Sequence, residues 1–476
     1  MNSLVEDVLA HAVQRPDAPA LRWHGNDVGY PELAGLVERA TATLDAAPGT
    51  GPIAVAAAKS PETIAFVLAC VQAGRPVLLP AADLGAEALD DLLTRTGCRQ
   101  IATATDAGIA LRETAVTTDP GDPVRFLLTT SGSTGRPKVV PLDAAATERF
   151  MDWAIAEFGL GPDSTVFNYA PLNFDLCLLD IWATLRAGGR VTLVDSGHAV
   201  NARYLMDLLD TGEPHVIQAV PMFFRILAEA AEDRGYPDVR HVVLTGDHTP
   251  RALRAALPGI FPNARFHNIY GCTETNDSFL HSFDGAEAAA RDVVPLGNPL
   301  PGVTALLMTD EGELTGPGTG ELWVTTPFQT RGYLGEAADR FVAGPGGHTF
   351  FRSGDLVHRD AEGELTLVGR TDFQVKVRGV RVSIEDIERV IAEHDQVAEV
   401  GVVALPDPEA GQRLHAVVRG KDARLTGLGL RRHCAARLAR AAIPSHIQIV
   451  ERALPLTSTG KVNRKLIKET LLAGEV

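Results

Sequence analysis

Cysteine is scarce in this 476-residue chain: Cys70, Cys98, Cys177, Cys272 and Cys434 are scattered, odd in number and never spaced C-x-x-C. That spacing excludes a disulfide framework and a zinc ribbon, and a reducing cytoplasm is the expected compartment. The 14 histidines show no H-E-x-x-H or comparable ligand pattern, so no structural zinc is expected. Positive charge is also short. The 44 Lys and Arg against 60 Asp and Glu leave a net charge of −16, the opposite of a nucleic-acid-binding footprint. No uncharged apolar run is long enough to span a bilayer. The start, Met1-Asn2-Ser3-Leu4-Val5-Glu6-Asp7, carries no cationic leader, so neither a membrane span nor a signal peptide is expected. The Walker A spacing G-x-x-x-x-G-K-(S/T) is missing too, which excludes a P-loop NTPase.

One stretch stands out against these absences. The apolar run at 126–128 leads into Thr129-Thr130-Ser131-Gly132-Ser133-Thr134-Gly135, then Arg136-Pro137-Lys138 and the β-branched pair Val139-Val140. A Ser/Thr/Gly loop between two strand-like runs can turn several backbone N–H groups and hydroxyls towards one point, with a lysine beside them. That is what a polyphosphate requires. The same composition also makes an ordinary hairpin turn.

Length predicts two or three domains, and 45% hydrophobic with 22% charged residues is a globular composition. Up to about residue 120, helical segments alternate with short strands, including a helix bearing Leu33, Leu36 and Leu44, a buried run at 53–56, a helix at 63–72 and a strand at 76–80. Asp143 is a good N-cap for a helix presenting Phe150, Ile155 and Phe158. Short β-branched runs at 191–194, 216–220, 242–244 and 265–269, separated by helical stretches, predict parallel strands. Ligands bind beyond the carboxyl ends of such strands. Those ends read Ala219-Val220-Pro221, Thr245-Gly246-Asp247-His248 and Ile269-Tyr270-Gly271-Cys272-Thr273-Glu274. Residues 295–370 read as a small antiparallel subdomain. Beyond it, helices at 384–394 and about 426–441 alternate with strands at 397–405, 414–419 and 446–450, an α+β module. The boundary is placed at Asp372, giving domains 1–371 and 372–476. Asp175 interrupts a largely apolar stretch; it either caps a helix running towards Leu185 or awaits a partner.

The loop at 130–138 resembles, nearly residue for residue, the phosphate-binding loop (S/T)-S-G-(S/T)-T-G-x-P-K of the adenylate-forming superfamily: acyl-CoA synthetases, firefly luciferase and nonribosomal adenylation domains. The resemblance implies a large α/β N-terminal domain of layered, mostly parallel sheets with helices and a small antiparallel β subdomain, followed by a small mobile α+β C-terminal domain. It implies ATP and Mg²⁺. Thr130, Ser131, Gly132, Ser133, Thr134, Gly135 and Lys138 would hold the pyrophosphate. Asn268-Ile269-Tyr270-Gly271-Cys272-Thr273-Glu274 resembles N-x-Y-G-x-T-E, which implies adenine contacts for Asn268 and Tyr270, an α-phosphate contact for Thr273 and Mg²⁺ on Glu274. Gly246-Asp247 is similar to the adenine-pocket turn, and Asp355 to the aspartate that binds the ribose hydroxyls. Arg370 would lie near the ribose and Asp372 would be the hinge. Residues 456–464 resemble P-x-T-x-x-G-K-x-(N/D)-R, which makes Lys461 the catalytic lysine. Cys272, Leu367 and the segment 383–388 depart from the commoner family residues.

Phe174-Asp175-Leu176-Cys177-Leu178-Leu179-Asp180-Ile181 resembles the F-D-x-S segment of amino-acid-activating members, particularly D-alanine–carrier-protein ligases and stand-alone nonribosomal adenylation enzymes. There the aspartate pairs with the substrate ammonium, an interaction that selects amino acids over fatty acids. The other pocket positions carried over are Leu176, Leu179, Ala219, Val243, Thr245, Ile269, Asp277 and Ser278, an aliphatic wall with two polar members. They imply a small or medium amino acid, with a polar or second amino group facing Asp277. No carrier domain follows Lys461, so the acceptor is expected in trans: a carrier protein with its phosphopantetheine arm, or CoA in the rival reading as an acyl- or aryl-CoA synthetase. A non-catalytic nucleotide-binding relative is the second rival.

Overall fold

The computed structural model describes residues 3–46, 49, 51–81, 84–105, 108–114, 124–130, 137–231, 234–291, 293–335, 339–371, 374–407, 411–421, 425–455 and 462–473. Its contacts divide the chain into two compact units. The larger comprises Met1–Pro80, Leu93–Leu128 and Val139–Thr371; the smaller comprises Ala81–Leu92, Thr129–Lys138 and Asp372–Val476.

The larger unit is layered. A nine-stranded sheet contains six parallel strands, Pro19–Trp23, Thr165–Asn168, Arg190–Leu193, Val216–Ala219, His241–Leu244 and Arg265–Cys272. Antiparallel strands flank them: Asn276–Phe283 and Asn298–Pro299 at one edge, Asn26–Gly29 at the other. A six-stranded sheet carries Ile53–Val55, Val77–Leu78, Gln100–Thr105, Val124–Thr130 and Lys138–Asp143. One apolar cluster draws on both sheets, joining Ile53, Val77, Phe126 and Val140 to Val166, Val191, Val243 and Ile269. Between them lies helix Pro61–Gln72, buried along its length and capped by the Ser60 hydroxyl on the Thr63 amide. A helix without a polar face belongs in such a middle layer. The other face of the nine-stranded sheet is covered by helices Ala202–Gly212, Pro221–Ala230 and Arg251–Ile260, which form a second cluster. Strands buried on both faces explain the unbroken apolar runs of the sequence.

Asp143 caps helix Ala144–Phe158 by accepting from the Ala146 amide at 2.7 Å, as its position predicts. The helix expected from Asp175 towards Leu185 differs: Leu178–Ala183 is a π-helical turn. Residues 304–370 form the antiparallel sheet, built chiefly from Thr304–Thr309, Gly318–Thr325, Thr349–Arg359 and Leu365–Arg370.

In the smaller unit, strands Val397–Asp407 and Gly411–Gly420 form a hairpin and His446–Val450 adds in parallel. Helices Ile384–Ala392 and Gly427–Ala435 enclose its core. The second is shorter than the expected 426–441, ending at Ala435 before a 3₁₀ turn at Arg440–Ala442. Arg464 opens helix Arg464–Ala473 and donates to Glu388 at 2.8 Å, tying that helix to Ile384–Ala392.

Candidate active site

The site is built where parallel strands end together. Strand Arg265–Cys272 continues through Thr273, Glu274 and Thr275 into the antiparallel Asn276–Phe283. Asn276 adopts a left-handed φ of 59°, and the register slips so that Ser278 is an extra residue between the pairs Gly271–Asp277 and Tyr270–Phe279. A Cβ on Gly271 would lie 2.4 Å from the Asn276 carbonyl oxygen, so this close approach requires glycine.

Two polar groups grow from this hairpin. In the first, the Tyr270 hydroxyl donates to Asp355, which also pairs with Arg370. The Ser353 hydroxyl fixes the turn, accepting from the Asp355 amide at 3.0 Å and donating to the Leu322 carbonyl at 2.7 Å. Arg370 also donates to the Ser353 carbonyl at 3.0 Å. Burial and then the Asp355 charge push the Tyr270 phenol well up. Nearby on the same strand, Asn268 donates to the Pro295 carbonyl at 3.1 Å. Gly246 is left-handed, with φ 82°, and a Cβ there would press on Val220 at 2.9 Å. Asp247 accepts from the His248 amide at 2.7 Å.

The second group is acidic. Glu274 is buried and accepts from the Tyr333 hydroxyl at 2.8 Å. Asp175 is half-buried at the entry to the π-helical turn. Burial raises its carboxyl to about 6, reinforced by the Glu274 charge and opposed by hydrogen bonds from the Asp175 and Leu176 amides and the Thr273 side chain. The helix-cap reading of Asp175 does not hold: the π-helical turn is entered at Cys177 without a side-chain cap, and the Asp175 carboxylate takes its own and the Leu176 amides and faces Thr273 and Glu274. Asp277, opposite Gly271, is pushed up to about 8 by the protein crowded around it and by the charges of Asp175 and Asp180. Among the described residues, no Lys or Arg charge acts on Asp175 or Asp277.

The pocket wall needs one correction. Val243 pairs with Gln218 and shares its face, with Thr245 and Ile269 one step further along the same side. Leu179, Val243 and Ile269 are buried in one cluster, and Leu176 packs on it. Ala219 instead pairs with Leu244, and both belong to the cluster on the opposite face. Strand alternation thus gives the pocket side to Gln218, not Ala219. Ser278 is fully buried, its hydroxyl 3.3 Å from that of Thr275 and donating to the Asn276 carbonyl at 3.4 Å, so it is engaged inside the hairpin. Thr130 ends strand Val124–Thr130 and Lys138 begins strand Lys138–Asp143. Ser131, Gly132, Ser133, Thr134, Gly135, Asp372 and Lys461 lie outside the described residues.

Sequence reasoning overlooked a buried polar network behind Asp175. The Asp180 carboxylate is fully buried and accepts from Asn168 at 3.0 Å and Gln218 at 2.9 Å. Burial raises it to about 7 against those two hydrogen bonds and the Lys59 charge. Lys59 is buried too and donates to the Asn168 and Tyr169 carbonyls at 3.1 and 3.2 Å. Its ammonium is lowered to about 8 by burial, with Cys177, Asp180 and Asp195 acting the other way. The signal was present for Asp180 and Gln218, each a lone polar side chain in an apolar stretch, but not for Lys59, which adjoins the polar run Ser60-Pro61-Glu62-Thr63.

A large α/β unit with its site at the ends of parallel strands, followed by a small α+β unit, is the architecture of adenylate-forming enzymes. The chain belongs to the AMP-binding enzyme family: residues 8–119 and 102–334 match the AMP-binding enzyme model, and residues 386–461 match the AMP-binding enzyme C-terminal domain. It is 31% identical over 499 residues to phenyloxazoline synthase MbtB of Mycobacterium sp. (strain MCS), covering 99% of this chain and 42% of that protein. This chain therefore spans less than half the length of that relative. It is 26% identical over 507 residues to the D-alanine–D-alanyl carrier protein ligase of Bacillus licheniformis, covering 98% of this chain and 99% of that one. The Vibrio cholerae adenylation domain AlmE, solved with glycyl-adenosine-5'-phosphate, superposes with a TM-score of 0.85 at 20% identity, covering 99% of this chain and 98% of that one.

Proposed function

We propose that this adenylate-forming enzyme activates an amino acid as its aminoacyl-AMP and transfers it to the phosphopantetheine thiol of a carrier protein. The observation that carries this reading is Asp175, a half-buried carboxylate at an aliphatic pocket with no protein cation acting on it among the described residues. A substrate ammonium supplies the missing charge; a fatty or aryl acid leaves the carboxylate unpaired.

In the first step the substrate carboxylate attacks the α-phosphate of ATP and pyrophosphate leaves. The loop at 130–138 holds the leaving group, Thr273 approaches the α-phosphate, and Lys461 stabilises the charge that develops there. Asn268, Tyr270, Gly271, Gly246, Asp247, Asp355 and Arg370 hold the nucleoside. Glu274 suits Mg²⁺, which accepts one or two carboxylates while phosphates and waters complete its shell and which, when bound, neutralises phosphate charge; the carboxylate is buried and braced by Tyr333. In the second step rotation about Asp372 withdraws Lys461 and admits the thiol.

The pocket suits a small or medium side chain ending in a polar or second amino group towards Asp277. Amino-acid-dependent exchange of pyrophosphate into ATP, run over α- and β-amino acids and over fatty and aryl acids, tests the reading. Exchange with short polar or diamino acids is expected; exchange driven only by fatty or aryl acids refutes it. Lys461→Ala should lower exchange by about a hundredfold or more while sparing transfer from supplied aminoacyl-adenylate. Loss of both activities would refute the division of labour.

A further inference from the structure

We infer that Asp180 and Gln218 are positioning residues for amino-acid binding, aiming the Asp175 carboxylate through the backbone of Leu176; this rests on the amino-acid reading of the pocket.

Leu176 is the link. Its amide donates to the Asp175 carboxylate, and its carbonyl accepts from the Gln218 side chain at 3.1 Å and from the Asp180 amide at 3.2 Å. The same Gln218 amide group donates to Asp180 Oδ1 at 2.9 Å, while Asn168 donates to Oδ2 at 3.0 Å. Both oxygens of a fully buried carboxylate are thus held by side chains on two neighbouring strands, Thr165–Asn168 and Val216–Ala219. Lys59, placed after strand Ile53–Val55 of the other sheet, reaches across to the Asn168 and Tyr169 carbonyls. The Cys177 thiol donates to the Pro171 carbonyl at 3.3 Å, closing the loop that carries Asp175.

Stability alone does not account for this arrangement. Burying a carboxylate costs several kcal/mol, and apolar residues of like volume often serve a core as well or better. What a fully satisfied polar network adds is one fixed direction. Leu178–Ala183 carries Asp180 in a π-helical turn, a deviation that recurs at functional sites. None of these contacts involves Tyr270, Asp355 or Arg370, the residues assigned to the nucleoside, so the KM for ATP is the control for an effect on the amino acid.

The test is steady-state exchange kinetics on the full chain, using the best amino acid of the panel, for Gln218→Met and Asp180→Asn. The Met variant keeps length but removes the donor; the Asn variant keeps shape but sets an amide against a donor. We expect the KM for the amino acid to rise about tenfold or more in each, with the KM for ATP within about twofold of wild type, because small misplacements of a binding group carry such penalties. Equal rises in both KM values, or a fall in kcat with both KM values unchanged, would overturn the inference. So would unchanged kinetics in variants with wild-type Tm. Because Gln218 also faces the pocket, Asp180→Asn, at a fully buried side chain, decides between positioning and direct contact: an unchanged amino-acid KM in that variant overturns the inference even where Gln218→Met raises it. Absence of exchange with every amino acid in the wild-type enzyme counts against the amino-acid reading itself.

Discussion

Asp355 and Asp175 are both carboxylates at the candidate site, and the protein treats them in opposite ways. Asp355 is enclosed by partners: Arg370 pairs with it, the Tyr270 hydroxyl donates to it and Ser353 fixes its amide. Asp175 has local amides and Thr273 but no cation acting on it among the described residues, while Glu274 raises its carboxyl further. A carboxylate already paired by its own protein can serve neutral hydroxyls, as the proposed ribose role requires. One left without a counter-charge waits for a ligand that brings it.

The largest effect expected from this contrast is a crossed loss. Asp175→Asn should lower kcat/KM for the amino acid about a hundredfold or more, as for truncation of one partner in a desolvated charge pair, with the KM for ATP little changed. Asp355→Asn should raise the KM for ATP about tenfold and spare the amino acid. Equal effects on both substrates from either variant would break the comparison.

A smaller effect lies in the pH profile. Burial and the Glu274 charge raise Asp175 to about 6, so protonation below that pH removes the charge that an ammonium would meet. The kcat/KM for the amino acid, which reports the free enzyme, should fall about tenfold per pH unit below about 6, and Asp175→Asn should abolish that inflection. A flat wild-type profile from pH 5 to 8 would sink the assignment.

The smallest effect is on stability. Asp175, Asp180 and Asp277 are raised to about 6, 7 and 8, so the folded state keeps protons that the unfolded chain releases. Their contribution is fully present below the unfolded carboxyl range and is lost as pH rises through those values. His267 works the other way: burial first, then the charges of His241 and Arg265, lower it to about 3. Its contribution is present above the unfolded histidine range and is lost as pH falls. Between pH 7 and 8 the Asp277 contribution is lost, so Tm should fall further, or rise less, across that window in wild type than in Asp277→Asn. A variant that tracks wild type across that window would remove Asp277 from the acidic group.

Much of this was legible in the sequence. Asp143 announced its helix and the β-branched runs announced the parallel strands, whereas the antiparallel return after Gly271 was not foreseen. Two more things were not legible. In strands buried on both faces, both parities are apolar, so nothing marks which residue of Val216–Ala219 looks into the pocket; register, seen only in the fold, assigns Gln218. The Asp180 network joins residues 59, 168, 180 and 218, which sequence spacing cannot bring together. The lone charge of Asp180 could have drawn suspicion, but its amide partners could not have been named. Nor does the sequence display the extra residue of the π-helical turn that follows Asp175.

The hairpin closed by Gly271 also bears on redesign. Tyr270, Thr273, Glu274 and Asp277 all hang on one tightly apposed pair of strands. Exchanging Asp277 to admit a new side chain, or grafting this segment from a relative, disturbs the frame that also aims Tyr270 and Glu274. On the proposed reading, selectivity and turnover are mechanically coupled there, and altered specificity with full rate is expected from the walls, at Leu179, Val243 or Thr245, before the hairpin.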